Sequence, residues 1–364
     1  MAHILKQNLI VGLLPIPILG RLITKKYIRK TKLDVDVGGG RKLNDEIDRC
    51  IGLFISEDKK SDNHYISRVR YDIVYSWLRF GAKPLEYFYY ALENKPMNVR
   101  KTYVYDTYKD ASCVKYSGLD SLEELKNKYI FYLKMKPYFH REACRVESEL
   151  DYVEYRHFVG KHSRFIVKPL RGAQGADTCI ADSPESEDAS RRFFEELLSN
   201  SNSWILEELI KQSPLMSIWN ESSVNTVRVI SILNKKGVNL LEVWLRTGRK
   251  GMVVDNAGAG GIFCNVDPVT GIADTDGVDE YCNNYVCHPD SLVIYKGWQV
   301  PFYKELLTLE ASLHKQLSQH KYLGFDFALT GSGWVLLEAN WGQLVGQIPT
   351  HKGKRALFDS LMKG

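Results

Sequence analysis

The stretch GFDFALTGSGWVLLEANW, from Gly324 to Trp341, holds two apolar runs on either side of the turn residues Thr330 to Gly333. Each run has the aromatic and β-branched content of a strand, and the small polar residues between them suit a tight hairpin. Residues two apart on a strand share a face, so Glu338 and Asn340 project together, and the turn sets Asp326 opposite them on the neighbouring strand. Three oxygen-bearing side chains then converge at the mouth of a hairpin otherwise made of Phe, Leu, Val and Trp. An oxygen-only set in an apolar wall suits Mg²⁺, which keeps waters and borrows phosphate oxygens. Taken alone, the same residues also fit the ordinary polar ends of half-exposed strands.

Working upstream, three further elements carry side chains and backbone suited to holding a ligand. Arg164 to Leu170 (RFIVKPL) is an apolar strand that delivers Lys168 near its end, followed by Arg171-Gly172-Ala-Gln174-Gly175. A lysine supplies a point charge, and glycines let backbone N–H groups close on phosphate oxygens. Trp204 to Ile210 (WILEELI) runs an apolar strand into Glu207 and Glu208, where acids can hold a ribose and linker backbone can pair with a purine edge. Ser223 to Arg228 (SVNTVR) opens a long strand on which Arg228 alternates with Val227 and Val229, and Arg246 closes the next strand. Planar arginine forks are the usual partners of carboxylate and phosphoryl oxygens. A routine hairpin loop, solvated strand ends and surface ion pairs are the bland counterparts of these three readings.

Around these pieces the sequence predicts an α+β chain. Tyr65 to Leu92 reads as two helices joined at Gly81 to Pro84, Lys101 to Tyr105 as a short strand, and Ser121 to Lys136 as a helix with Ser121 as N-cap and Glu124 reaching back. Further helices are expected at Glu185–Leu198 and Tyr303–His320, strands at Val224–Leu233 and Asn239–Arg246, and a loop region from Thr247 to about Asp290. Many hairpin-connected strands argue against a simple doubly wound sheet. Cys282, Cys287 and His288 are spaced too widely for a zinc knuckle and have no second pair, so they read as loop residues.

With 364 residues, 44% of them apolar and 26% charged, the chain can bury a sizeable core, which excludes a disordered or collagen-like chain. Seven scattered cysteines make no disulfide framework and suit a reducing, cytoplasmic setting. The net charge of +5 is concentrated: residues 1–33 carry seven Lys and Arg and no acid, and the remainder is nearly balanced. A near-neutral body argues against nucleic acid as a partner. Within the leader, Leu9 to Gly20 is too short to span a bilayer and is interrupted by Pro15 and Pro17. It reads first as a segment packed on the body of the protein, and second as peripheral contact with an anionic membrane at its inner face.

In their order and spacing these motifs resemble the ATP-grasp superfamily, and SVNTVR with LGFDFA…LLEANW is most similar to its sugar-transfer-associated group and to teichuronopeptide-biosynthesis proteins. The resemblance covers roughly residues 120–350 and implies a nucleotide held between two α+β lobes, after a helical or mixed N-terminal region. It divides the chain into a leader (1–33), an N-terminal region (34–120), a small lobe (121–211) and a large lobe with the metal site (212–364). By the same resemblance, Lys128 and Lys168 contact nucleotide phosphates, and the Gly172-to-Gly175 loop with Gln174 covers the triphosphate. Glu207, Glu208, Leu209 and Ile210 hold adenine and ribose, and Asp326, Glu338 and Asn340 hold one or two Mg²⁺. Arg228 and Arg246, with Lys168, steady the transferred phosphoryl group. The loop has only two glycines, and Asp326 stands where many relatives have Glu.

The activity so implied is an ATP- and Mg²⁺-dependent carboxylate–amine ligation through an acyl phosphate, in cell-surface polysaccharide or sugar-conjugate assembly. Its substrates would be a small or sugar-linked carboxylate and an amine or amino acid. Two alternatives stand beside it: a kinase that stops at phosphoryl transfer to a sugar-like hydroxyl, and a nucleotide-binding, non-catalytic partner of glycosyltransferases.

Overall fold

The structure is a computed structural model that describes Leu22, Thr24, Asp36, Val37 and residues 40–118, 124–172, 177–200, 203–341 and 344–364. The apolar run Leu9 to Gly20, the N-cap Ser121, and Gln174 and Gly175 of the glycine loop lie outside the described residues. The chain forms two compact units, Met1–Ser112 with His351–Asp359, and Cys113–Thr350 with Ser360–Gly364.

The first unit is helical among its described residues. Helices α1 (Leu43–Phe54), α2 (Asn63–Phe80) and α3 (Pro84–Tyr89) are followed by the start of α4 (Asp106–Ser117). Helix α2 begins because the Asp62 carboxylate accepts the amides of His64 and Tyr65, and it stops at Gly81, whose φ of 76° is left-handed. Gly81 has a second reason to lack a side chain, since a Cβ there would meet the Thr107 hydroxyl at 2.2 Å. Arg100 is buried against Asp72 and Ser76. The expected strand Lys101–Tyr105 is absent. Thr102 and Tyr103 turn back on Val99 and Arg100, and Tyr103 and Tyr105 are buried in a stack with Tyr90 instead of pairing with a strand. The late segment closes this unit: the Arg355 amide donates to Thr102, and the Tyr108 hydroxyl donates to Asp359.

The second unit holds two antiparallel sheets. A four-stranded sheet has the order β1-β4-β2-β3, with β1 Ala143–Val146, β2 Arg164–Pro169, β3 Cys179–Asp182 and β4 Trp204–Glu208. Helices α6 (Tyr152–Lys161) and α7 (Glu187–Ser199) share its core of Tyr155, Phe158, Phe165, Val167, Phe194 and Leu206. Burying each such large apolar side chain stabilises by about 1.5–3 kcal/mol. Before it lies α5 (Lys128–Phe139), which starts at Asn127 because the Asn127 side chain accepts the amides of Tyr129 and Ile130. The single helix expected over Ser121–Lys136 is therefore broken at that cap. Glu124 turns outward to Lys134, Gln319 and His320.

The larger sheet has seven strands in the order β11-β10-β5-β6-β7-β8-β9, namely β5 Thr226–Asn234, β6 Gly237–Thr247, β7 Ile262–Val266, β8 Gly277–Val278, β9 Asn284–Tyr285, β10 Tyr322–Thr330 and β11 Gly333–Asn340. Helix α8 (Tyr303–Gln316) shares its main core. Strands β7 to β9 correct the expectation of a plain loop over 247–290. Ile262 to Val266 is buried throughout, and strand pairing is how a buried backbone satisfies its N–H and C=O groups.

Two one-residue bulges decide what this sheet presents. From the turn outward, Thr330 pairs with Gly333 and Phe327 with Leu336; continued unbroken, that register would set Glu338 opposite Phe325, whose side chain is in the core. Leu337 is inserted at this point, so Asp326 pairs with Glu338 instead. On β6, Leu241 is likewise extra, which pairs Arg228 with Trp244 and Thr226 with Arg246. A one-residue slip moves a whole strand's side chains to the other face. The two bulges are what bring Arg228, Arg246, Asp326 and Glu338 to one face.

Candidate functional site

A cavity of about 550 Å³ lies between the two sheets of the second unit. From the small sheet and its neighbours it is lined by Lys128, Arg141, Lys168 and Gly172, then by Glu207 to Ile210 at the end of β4. From the large sheet it is lined by Arg246, Asp326, Leu337 and Glu338, with Val253 to Asn256 along one side. Of the residues singled out in the sequence, Arg228 and Asn340 stand just behind this lining: Arg228 grips Asp326, and the Asn340 amide donates to Glu338 at 3.2 Å.

On the large sheet the acids and arginines form one network. Asp326 is buried and accepts from Arg228 through both of its oxygens, and from Arg246 at 2.8 Å. Burial works against its ionised form, but the two guanidinium charges win and hold the carboxyl at about 2. Glu338 behaves oppositely: partial burial and the adjoining Asp326 charge push its carboxyl above the usual range. Arg228 lies over the Trp244 ring, 5.1 Å from its centroid. Arg246 is anchored from the far side by Asp255 at 2.9 Å and by Asn256, while Thr226 donates to Asp255.

On the small sheet, Lys168 points into the cavity and reaches one oxygen of Glu207 at 3.2 Å. Glu207 itself is buried, and its other oxygen is taken by Arg141 at 2.7 Å. Although burial favours the neutral acid, the charges of Arg141 and Lys168 hold Glu207 at about 2. Glu208 accepts the Glu142 amide, leaving the linker Leu209–Ile210 along the cavity wall. Lys128 is turned toward the glycine loop, and its ammonium donates to the carbonyls of Pro169 and Gly172 at 3.0 and 3.1 Å. Burial pulls its pKa down. Gly172 has φ of 138°, a backbone conformation that favours glycine.

A family profile described as sugar-transfer associated ATP-grasp matches residues 125–361. The chain belongs to the sugar-transfer-associated ATP-grasp family. In line with that membership, its α+β sheets and the cavity between them form an ATP-grasp fold, preceded by a helical region. No curated protein matches the sequence. Among solved structures, the chain is similar to D-alanyl-alanine synthetase A from Vibrio cholerae, at 13% identity and TM-score 0.42, over 68% of this chain and 66% of that one. It is similar also to the ATP-grasp ligase PsnB complexed with a minimal precursor (14% identity, TM-score 0.40, 68% of this chain and 62% of that one). A third is the D-alanine-D-alanine ligase from Coxiella burnetii (9% identity, TM-score 0.41, 68% and 59%). The chain thus spans less than two thirds of the length of these three structures.

Among the described residues, no group of three or more His, Cys, Asp and Glu side chains could hold an ion. What the hairpin offers is two carboxylates and one amide, Asp326, Glu338 and Asn340, paired across one register position or two apart on β11. Oxygen-only donors of this kind fit Mg²⁺ with water and phosphate completing its shell. Two adjoining carboxylates, one of them pushed toward its neutral form by partial burial and by the other's charge, form a donor pair whose repulsion a divalent cation would relieve. No helix among the described residues is long and apolar enough to cross a membrane.

Arg141 and Asp255 are the site residues that sequence reading missed. Arg141 follows the end of α5 with no motif around it, and Asp255 sits in a glycine-rich loop whose strand partner, Thr226, is 29 residues away in sequence.

Proposed function

We propose that this chain is an ATP- and Mg²⁺-dependent ligase that joins a carboxylate to an amine through an acyl phosphate, acting in cell-surface polysaccharide or sugar-conjugate assembly. The single observation that carries the reading is the cavity's charge layout. Lys168 and Lys128 lie on the small-sheet side, and Arg246 stands beside the Asp326–Glu338 pair on the large-sheet side. A triphosphate laid across it meets cations along its length and an oxygen-donor set near its end. The family membership supports the nucleotide, and the sugar-transfer association in the family's description supports the setting.

In this reading the small sheet is the small lobe and the seven-stranded sheet the large lobe. Leu209 and Ile210 offer linker backbone to the adenine, and Glu208 lies within reach of the ribose. Lys168 binds the α- and β-phosphates, while Lys128 holds the start of the glycine loop over them. Asp326, Glu338 and Asn340 would hold Mg²⁺, which supplies charge neutralisation as the γ-phosphoryl group moves. Arg246 and Arg228 orient that group and then the acyl phosphate, a task of positioning and electrostatics. The mixed anhydride is open to displacement by an amine because phosphate, unlike oxide, is a good leaving group. Val253 to Asn256, along one side of the cavity, exclude water from it.

Calorimetry with Mg²⁺–ATP, on the wild type and on Lys168→Met and Glu338→Gln, tests the nucleotide site. ADP release on adding uronic acids with amino acids, and an amide in the products, tests the ligation. A phosphorylated sugar in place of the amide would establish the kinase instead, and absence of nucleotide binding would remove both.

A further inference from the structure

We infer that Arg141 is a positioning residue: by neutralising Glu207 at the back of the cavity, it leaves the Lys168 ammonium available to an anionic ligand. The inference rests on the nucleotide-binding reading above, and the two can fail separately.

The two oxygens of Glu207 are divided between unlike partners. Oε2 accepts from Nε and Nη2 of Arg141 at 2.7 and 2.6 Å, whereas Oε1, among the described residues, accepts only from Lys168 at 3.2 Å. The Arg141 guanidinium is committed elsewhere as well. Nη1 donates to the Leu336 carbonyl at 2.8 Å, and the group lies 4.5 Å from the centroid of the Phe139 ring. A planar fork held on every side cannot swing to a ligand. Lys168 is the opposite case: a flexible stem, one carboxylate contact and a side chain 21% exposed at the cavity. Together Arg141, Lys168 and Glu207 carry a net charge of +1 toward the cavity. Without Arg141 the balance falls to zero, and the buried Glu207 is left with Lys168 as its counter-charge among the described residues. Because Leu336 is on β11, Arg141 also links β4 to the strand that carries Glu338.

The experiment is titration of the full chain with Mg²⁺ and the non-hydrolysable analogue AMPPNP, comparing wild type, Arg141→Met and the double variant Arg141→Met/Glu207→Gln. Removing the buried positive partner should weaken binding by about tenfold or more in Arg141→Met, although the Arg141 N–H groups are already committed to Glu207 and to the carbonyls of Phe139, Leu336 and Leu337. Neutralising Glu207 as well should release Lys168 and tighten binding again, by roughly threefold or more over the single variant. Packing alone predicts no such recovery, since the double variant restores none of the contacts to Leu336. Unchanged affinity in Arg141→Met, or a double variant no tighter than the single, overturns the inference. If Arg141→Met fails to fold, the double variant decides: folded protein that binds AMPPNP supports the role, and folded protein without binding overturns it. A wild type that binds no AMPPNP defeats the nucleotide reading itself, a different failure from a wild type and Arg141→Met that bind alike.

Discussion

Substituting each acid of the Asp326–Glu338 pair should produce opposite patterns of stability. Asp326 is buried under two arginines, so Asp326→Asn leaves Arg228 and Arg246 facing each other without their shared anion. Breaking a buried ion pair in this way costs about 3–5 kcal/mol. At the roughly 2–4 °C per kcal/mol expected for a unit of this size, the melting temperature should fall by about 6–20 °C. The Glu338 side chain is 43% exposed, and its main electrostatic neighbour is a like charge. Glu338→Gln removes that repulsion and should leave stability within about 1 kcal/mol of wild type in the absence of Mg²⁺. Both variants should lose the Mg²⁺-dependent part of nucleotide binding. Differential scanning fluorimetry and urea unfolding read the first effect, and calorimetry with and without Mg²⁺ reads the second. An Asp326→Asn protein that melts with the wild type, or a Glu338→Gln protein that melts below it, refutes the reasoning, because the arginines would then not depend on Asp326.

Lys168→Met should raise the dissociation constant for Mg²⁺–ATP roughly ten- to a hundredfold, the weight of a charge-assisted contact, as read by calorimetry. A Cβ on Gly261 would lie 2.1 Å from the Asp255 carbonyl oxygen, a backbone atom that cannot swing aside. Gly261→Ala should therefore displace the Asp255–Asn256 anchor of Arg246, cost about 1–3 kcal/mol by urea unfolding and lower ATP turnover; an unaltered variant would show that the loop yields freely. Glu207 has its carboxyl lowered to about 2, so its contribution to stability is complete above the ordinary value near 4.5 and is lost as pH falls through about 2. The difference in unfolding free energy between wild type and Glu207→Gln should therefore shrink by about 3 kcal/mol from pH 5 to pH 2, and a difference that is flat with pH would count against the buried pair.

Legibility in the sequence followed the physics of each element. Strands β2, β4, β5, β6, β10 and β11 announced themselves because their apolar and β-branched runs are bounded by turns, and α2 and α3 were separated by Gly81 and Pro84. Lys101–Tyr105 has strand composition yet forms none, since its tyrosines are drawn into an aromatic stack rather than paired. Strands β7 to β9 were hidden among glycines and aspartates, and the short β8 and β9 carry too few residues for a period to show. The convergence of Asp326 with Glu338 was expected from the turn alone, whereas the pairing depends on the bulge at Leu337. A bulge has no composition of its own, so counting from the turn cannot place it. Arg141 was invisible for a different reason: its partners, Glu207 and Leu336, are 66 and 195 residues away.

The return of residues 351–359 to the first unit has a consequence for how this chain is made. Phe358 is fully buried there, against Tyr108, and the hydroxyls and backbone of residues 102–108 wait for Arg355 and Asp359. Synthesis proceeds from the N-terminus, and domains ordinarily fold in that order. Here the earliest helices emerge long before the piece that completes their core. Nearly all of the ATP-grasp unit, Cys113–Thr350, is translated in between, so a ribosome that stalls anywhere before residue 351 leaves the N-terminal unit without its last helix.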